Sequence, residues 1–364
     1  MNTNRLKINL TDFRIVGSLI RQRPILCFYY LTYRCNARCV YCDFWQRPEY
    51  RHSPLANPEQ VKENLHWLKK LGIVFIDFTG GEPLLHPHLA DFLTLAKKLK
   101  LRTTVTTNCL LYPQQAKKLQ GLIDFLHFSL DGLSPQANSR WRGIPLRQIL
   151  KSIHIAQDLG ERPDILFTLT NNNFQELPTL AEFAQNHRLM LIVNPVFSYF
   201  DNPLLQPQIV KCLRQYEKLP YVYINRAFSE LILQGGNQTH MPRCRAVTAT
   251  VVISPANEIL LPCFHFTNRK IALANPSSAY RQTRIFNQAI HQQGRYPFCK
   301  SCTINCYFDP SFLYKIDRYF FLSLWSKLKY ARDKYLRPYT VSLTAEDNEN
   351  IKKTQITETE NDPD

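Results

Sequence analysis

Residues 25–45 read ILCFYYLTYRCNARCVYCDFW. The first eight are aliphatic, aromatic, cysteine or threonine, which is the length and composition of a buried strand. The run then breaks into a loop carrying Cys35, Cys39 and Cys42 at the spacing C-x3-C-x2-C. Thiolates suit iron–sulfur clusters, and a four-iron cube normally takes four of them. A loop that offers three leaves one iron open, much as an open position separates catalytic from structural zinc. A structural zinc or a redox pair is the bland alternative, and a three-cysteine loop without a local fourth ligand suits either poorly.

Outward from this loop, residues 25 to 200 alternate short apolar runs with segments of helical period, the pattern of repeated βα units. ILCFYYLT, IVFIDFT, RTTVTT, DFLHFSL, DILFTLT and LMLIVNPVF predict six parallel strands. Helices are predicted near 58–71, 88–99, 113–121, 145–159 and 175–187, with Pro58, Pro113 and Pro178 as opening residues. Apolar strands covered by helices and right-handed crossovers give an α/β fold, a partial (β/α)6 TIM-like barrel. In such barrels chemistry collects at the C-terminal ends of the strands, where the cysteine loop falls.

The expected organisation is a basic segment over 1–24, the barrel over 25–205, linker helices and a small cysteine-rich domain over 206–310, a basic amphipathic helix over 311–337 and a disordered acidic tail over 338–364. The tail holds seven acids and two bases, so the rest of a chain of net charge +16 carries +21. A basic body attracts anionic partners, with a mild preference for an acidic or phosphorylated substrate. Eleven cysteines in 364 residues, odd in number and clustered, argue for metal ligation in a reducing compartment rather than disulfides. The N-terminus lacks the apolar stretch of a signal peptide, and no run of about 18 apolar residues is present, so the cytoplasm is the expected location.

With the second strand ending in Thr79, Gly80, Gly81, Glu82 and Pro83, and with Tyr41 just before the third cysteine, the chain resembles the radical SAM superfamily over roughly residues 25 to 200. The resemblance implies that the open iron of a [4Fe-4S] cluster on Cys35, Cys39 and Cys42 chelates S-adenosylmethionine. One electron then yields methionine and a 5′-deoxyadenosyl radical. It further implies that Gly80, Gly81 and Glu82 meet the methionine amino group. Thr106, Thr107 and Asn108 end the third strand, and Ser129 and Asp131, two apart and so on one side, end the fourth. These resemble the family's polar strand ends at the ribose or methionine, against a local capping role. Arg142 is placed at the carboxylate, against a solvated arginine, and Thr168 or Thr170 ends the fifth strand.

Cys244, Cys263, Cys299, Cys302 and Cys306 gather in the C-terminal third. Cys244 and Cys263 flank a predicted hairpin turning at PAN, with Asn257 as the residue that tolerates the left-handed conformation. The arrangement resembles SPASM domains and their shorter twitch form. It implies an auxiliary [4Fe-4S] cluster on Cys244, Cys263, Cys299 and Cys302, with Cys306 replacing one of them or spare, against a zinc knuckle. Cys27, Cys109 and Cys212 read as packing residues, and His86 and His88 as surface or capping residues.

Leu313, Ile316, Phe320, Leu324, Leu328, Ala331 and Tyr335 recur at helical spacing, and Phe321 and Trp325 widen that face. The helix either packs on the barrel or lies on anionic lipid, so peripheral membrane contact through 312–337 is considered. The leading expectation is an enzyme that abstracts hydrogen from a peptide or small molecule, fed by a one-electron donor such as flavodoxin or ferredoxin. The alternative is a non-enzymatic iron–sulfur or zinc protein on membrane or nucleic acid. No dedicated nucleic-acid signature is evident.

Overall fold

A computed structural model describes residues 13–273 and 283–337. The acidic tail and the first half of the basic N-terminal segment lie outside the described residues.

The parallel strands β1 (Leu26–Thr32), β2 (Phe75–Gly80), β3 (Arg102–Thr107), β4 (Phe125–Ser129), β5 (Asp164–Leu169) and β6 (Leu191–Pro195) lie side by side in chain order. The helices Pro58–Leu71, Leu89–Lys98, Tyr112–Leu119, Leu146–Asp158 and Leu177–Asn186 connect them, close to their predicted places. Pro58–Leu71 shows why such segments form helices. Asn57 accepts from Glu59 and Gln60 amides, Pro58 opens the first turn and Gly72 at φ 100° ends the helix. Val61, Leu65 and Leu68 recur on its buried face.

β1 is buried on both sides, whereas β2 and β3 are apolar on one side only. In β3 the buried set Thr103, Val105 and Thr107 alternates with the more open Arg102, Thr104 and Thr106. In β2, Asp77 and Thr79 alternate with fully buried Ile76 and Phe78. The inner side faces a cavity rather than a second layer of helices, so both-sided apolarity is not required.

The sheet exceeds six strands. A two-residue β7 (Val222–Tyr223) pairs parallel with β6. At the other edge β8 (Thr250–Ile253) pairs parallel with β1, Leu26 facing Thr250, and continues into antiparallel β9 (Glu258–Leu261) and β10 (Arg269–Ala272). The cysteine-rich hairpin thus continues the barrel's own sheet. Asn257 sits in its turn at φ 58°, as expected. Asn305 Nδ2 donates to Asn194 Oδ1 at 2.9 Å, and Thr303 N to Ser198 Oγ, which draws the C-terminal segment back to the end of β6.

The C-terminal helix begins at Arg318, not Phe312, because Asp317 accepts from the Tyr319 and Phe320 amides. Its buried face also differs from the expected one. Tyr319, Ser323 and Ser326 are buried, while Ile316, Phe321, Trp325 and Leu328 are exposed. The two serines permit close approach to the helix Arg226–Leu233, whose first amide donates to Ser326 Oγ at 3.1 Å. The turn that follows closes the barrel floor, with Lys334 Nζ donating to Asp164 Oδ1 at 2.5 Å and Tyr330 OH to Asp164 Oδ2 at 2.6 Å.

Candidate active site

The cysteine loop is anchored by the turn at the end of β2. Gly81 N donates to Thr32 O at 3.0 Å and Glu82 N to Arg34 O at 2.9 Å. A Cβ on Gly81 would lie 2.1 Å from Arg34 O, and Gly80, at φ 145°, sits as close to Thr32 O. Both positions therefore need glycine for backbone contact with the loop. Glu82 is 1% exposed, and its carboxylate accepts from Leu84 N, Thr107 Oγ1 and Asn108 N at 3.1, 2.8 and 2.8 Å. Burial outweighs these bonds and pushes its carboxyl up to about 7. So engaged, Glu82 ties β2 to β3. Asn108 carries the tie onward, with Nδ2 donating to Asn36 Oδ1 at 2.7 Å and lying 3.9 Å from Cys35 Sγ. Cys35, Cys39 and Cys42 are free thiols, half-buried. Burial raises all three, Cys35 to about 12.

A second network holds the far side of the loop. Asp131, fully buried, accepts from Tyr41 OH at 2.5 Å, from Thr168 N at 2.9 Å and from Arg142 Nη2 at 3.0 Å. Arg142 also donates to Thr168 Oγ1 and brings Nη1 within 4.0 Å of Cys39 Sγ, where its charge opposes the burial that raises the thiol. It ends the helix Pro135–Arg142, whose polar sequence gave no helical signal, and its carbonyl accepts from Arg38 N. The solvated alternative for Arg142 is thereby removed, since it is 5% exposed and paired. Ser129 is buried at the end of β4. His86 is not a surface residue. It is 1% exposed, accepts from His88 N and donates from Nε2 to Ala56 O at 2.8 Å. Cys27 and Cys109 are buried, and Cys212 is exposed.

The second cysteine group is organised by Asn237, which sequence reading missed. This residue is fully buried in a turn after two glycines. Its Nδ2 donates to Gly294 O at 2.8 Å and Cys299 O at 3.0 Å, and its Oδ1 accepts from Arg243 N at 3.0 Å and Cys244 N at 3.4 Å. Its own amide donates to Cys302 O at 3.1 Å. The one sequence signal is the Gly-Gly-Asn turn. Cys263 and Cys244 are each raised by burial and then by Cys302, Cys299 and, for Cys244, Cys263, so these four thiols act on one another. Cys306 responds to Cys263 and Cys302 and also to Asp77.

Phe264 joins the two regions. It stacks on Tyr30 at 4.3 Å between ring centroids and on Phe44 at 5.4 Å. Between the regions lies a cavity of about 310 Å³ with Cys42 and Cys306 both on its wall. Gly80, Gly81, Tyr41, Thr79, Thr106, Thr168 and Asn194 line it as well, together with Asp77 and His265, neither singled out from sequence. Asp77 had a legible signal, a lone acid within an apolar strand. A larger groove of about 470 Å³ on the outer surface, lined by Arg214, Lys218, Arg226 and Arg318, contains none of the cysteines.

Comparison with known proteins bears on the family and the fold. Residues 29–184 match the model of the radical SAM superfamily. Fe-coproporphyrin III synthase of Methanosarcina barkeri is 26% identical over 172 residues, 46% of this chain and 42% of that protein. A probable GTP 3′,8-cyclase of Methanococcus maripaludis is 24% identical over 289 residues, 74% of this chain and 95% of that protein. Two further cyclases are matched over 51% and 46% of their length, so the chain spans about half of most of these relatives. In fold it resembles native anSMEcpe with bound AdoMet and Cp18Cys peptide, at a TM-score of 0.57 and 16% identity, over 86% of this chain and 98% of that one.

Proposed function

This chain is an enzyme of the radical SAM superfamily, and on that premise we propose that it abstracts hydrogen from a peptide or small molecule held in the cavity between Cys42 and Cys306. The observation that carries the reading is that one cavity is walled by a thiol from each cysteine region. Cys35, Cys39 and Cys42 would hold a four-iron cluster that, when bound, supplies the electron splitting S-adenosylmethionine into methionine and a 5′-deoxyadenosyl radical. The Gly80–Gly81 turn fixes the loop, and the Tyr41–Asp131–Arg142 network keeps its outer side dry and rigid. Thr106 and Thr168 offer hydroxyls inside the cavity, which suits polar ends of the adenosylmethionine.

Cys244, Cys263, Cys299 and Cys302 would hold an auxiliary four-iron cluster with Cys306 towards the cavity. Support comes from the influence of Cys302, Cys263 and Cys299 on Cys244, and of Cys302 and Cys299 on Cys263. A peptide substrate has support in anSMEcpe, which binds one. The reductant is proposed to be a flavodoxin or ferredoxin.

The test is anaerobic reconstitution with iron and sulfide, reduction with S-adenosylmethionine and assay of 5′-deoxyadenosine. Cys39→Ala is expected to abolish the product, and Cys302→Ala to remove only the auxiliary iron. No product from protein with intact clusters would sink the reading.

We also propose peripheral contact with anionic lipid. Phe321, Trp325 and Leu328 form an exposed stripe beside Arg226 and Arg332, an arrangement that suits a headgroup layer. No described helix is long and apolar enough to cross a membrane.

A further inference from the structure

Two buried polar atoms in the cavity have no hydrogen-bond partner within the protein, Asp77 Oδ1 and His265 Nδ1. Leaving such an atom unsatisfied costs about 1–3 kcal/mol, more for a charged group. Neither side chain is among the cysteines, although the His265 backbone hydrogen-bonds Cys263 and Asp77 acts on Cys306. Asp77 stands on β2 between Phe28 and Thr104 in register, three residues before Gly80 and so about 10 Å along the strand from the turn that anchors the cysteine loop. His265 comes from the C-terminal region, beyond the residues that match the superfamily. Its ring is fixed edge-on by Tyr199 at 4.4 Å and Phe197 at 5.4 Å.

The rest of this wall is aromatic: Phe28, Tyr30, Phe44, Phe197 and Tyr199. Among the residues lining the cavity none is lysine or arginine, and Asp77 is the one acid. Arg214, Lys218, Arg226 and Arg318 line a separate outer groove, beside Glu217 and Glu230. A phosphate or carboxylate in this cavity would meet aromatic rings and an acid with no counter-charge. A cationic or N–H-bearing group would find an acceptor and ring faces.

We propose that Asp77 and His265 form the polar end of the substrate site, and that they receive a nitrogen-bearing cation or N–H donor carried on a planar or apolar body. This turns the acidic preference read from net charge into its opposite within the cavity. It rests on the reading that substrate meets the adenosylmethionine here.

Binding, not turnover, tests it. The reconstituted protein, saturated with S-adenosylmethionine and left unreduced, is titrated with benzamidine, a planar cation, and with benzoate, its anionic counterpart of similar shape, by ligand-observed NMR. Benzamidine is expected to bind at least about tenfold more tightly than benzoate, and Asp77→Asn to remove that preference while both sets of iron are retained. His265→Phe, which keeps the ring, is expected to weaken benzamidine about threefold. Equal binding of the two probes, an unchanged preference in Asp77→Asn, or displacement of S-adenosylmethionine by benzamidine would overturn the proposal. An unchanged His265→Phe would remove that residue from it. Because no product is read, a failed 5′-deoxyadenosine assay would overturn the radical reading and leave the measured preference of the cavity standing.

Discussion

The two cysteine regions are built in opposite ways. Cys35, Cys39 and Cys42 sit within eight residues on one loop, whereas the other five are spread from residue 244 to residue 306. The first set is placed by chain continuity, and its neighbours need only hold the loop still. Gly81 does so by backbone contact, Glu82 and Asn108 by hydrogen bonds, and Asp131 by its pair with Arg142. The second set has no such continuity, and one buried amide, Asn237, joins the segments around Cys244, Cys299 and Cys302. A local motif tolerates change elsewhere in the molecule, while a site assembled from distant segments depends on the contacts that join them.

The strongest way to break this contrast is Gly81→Ala. The added Cβ would press on Arg34 O, which is backbone and cannot rotate away, so a loss of about 3 kcal/mol or more is expected. Chemical denaturation with iron analysis checks it, and iron should be lost from the first region alone. Loss from both would mean that the regions are not independently placed. Asn237→Ala is the mirror test. Removing two donors and a shared acceptor from a buried joint should cost about 2–3 kcal/mol and release the auxiliary iron. Cleavage of S-adenosylmethionine should survive it.

A third measurement isolates the barrel from both clusters. Burial pushes His127 down to about 4, beside Asp164 at the barrel floor. The unfolded imidazole titrates near 6.5, so the unfolded state binds the proton first as pH falls. Stability is therefore full above pH 6.5 and declines towards pH 4, by an amount on the order of 2 kcal/mol from this residue. His127→Gln should flatten that portion of the stability curve. The smallest effect on stability is expected from Phe321→Glu, within about 0.5 kcal/mol because the side chain is exposed. Flotation with phosphatidylglycerol vesicles should nonetheless fall sharply, and unchanged flotation would retire the lipid reading.

Much of the barrel was legible because its signals are local. IVFIDFT is strand-like by composition, Pro58 after Asn57 opens a helix, and Asn257 accepts a positive φ. The Pro135–Arg142 helix was not legible, since PQANSRWR has no apolar period and is stabilised by the Ser134 cap and by Arg142. The C-terminal helix misled for a related reason. Its apolar residues set a clear period, but the neighbouring helix accepts Ser323 and Ser326, whose small size allows closer packing than leucine would.

By itself the sequence determined the order of βα units, the three-cysteine loop and the glycine turn that serves it. Each depends on residues within a few positions of one another, where chain geometry leaves little choice. Only the tertiary structure decided that the cysteine-flanked hairpin joins β1, that Asn237 links three cysteine segments, and that Asp77 and His265 share a cavity without basic residues. These depend on which distant segments pack together, and net charge or periodicity averages over such differences.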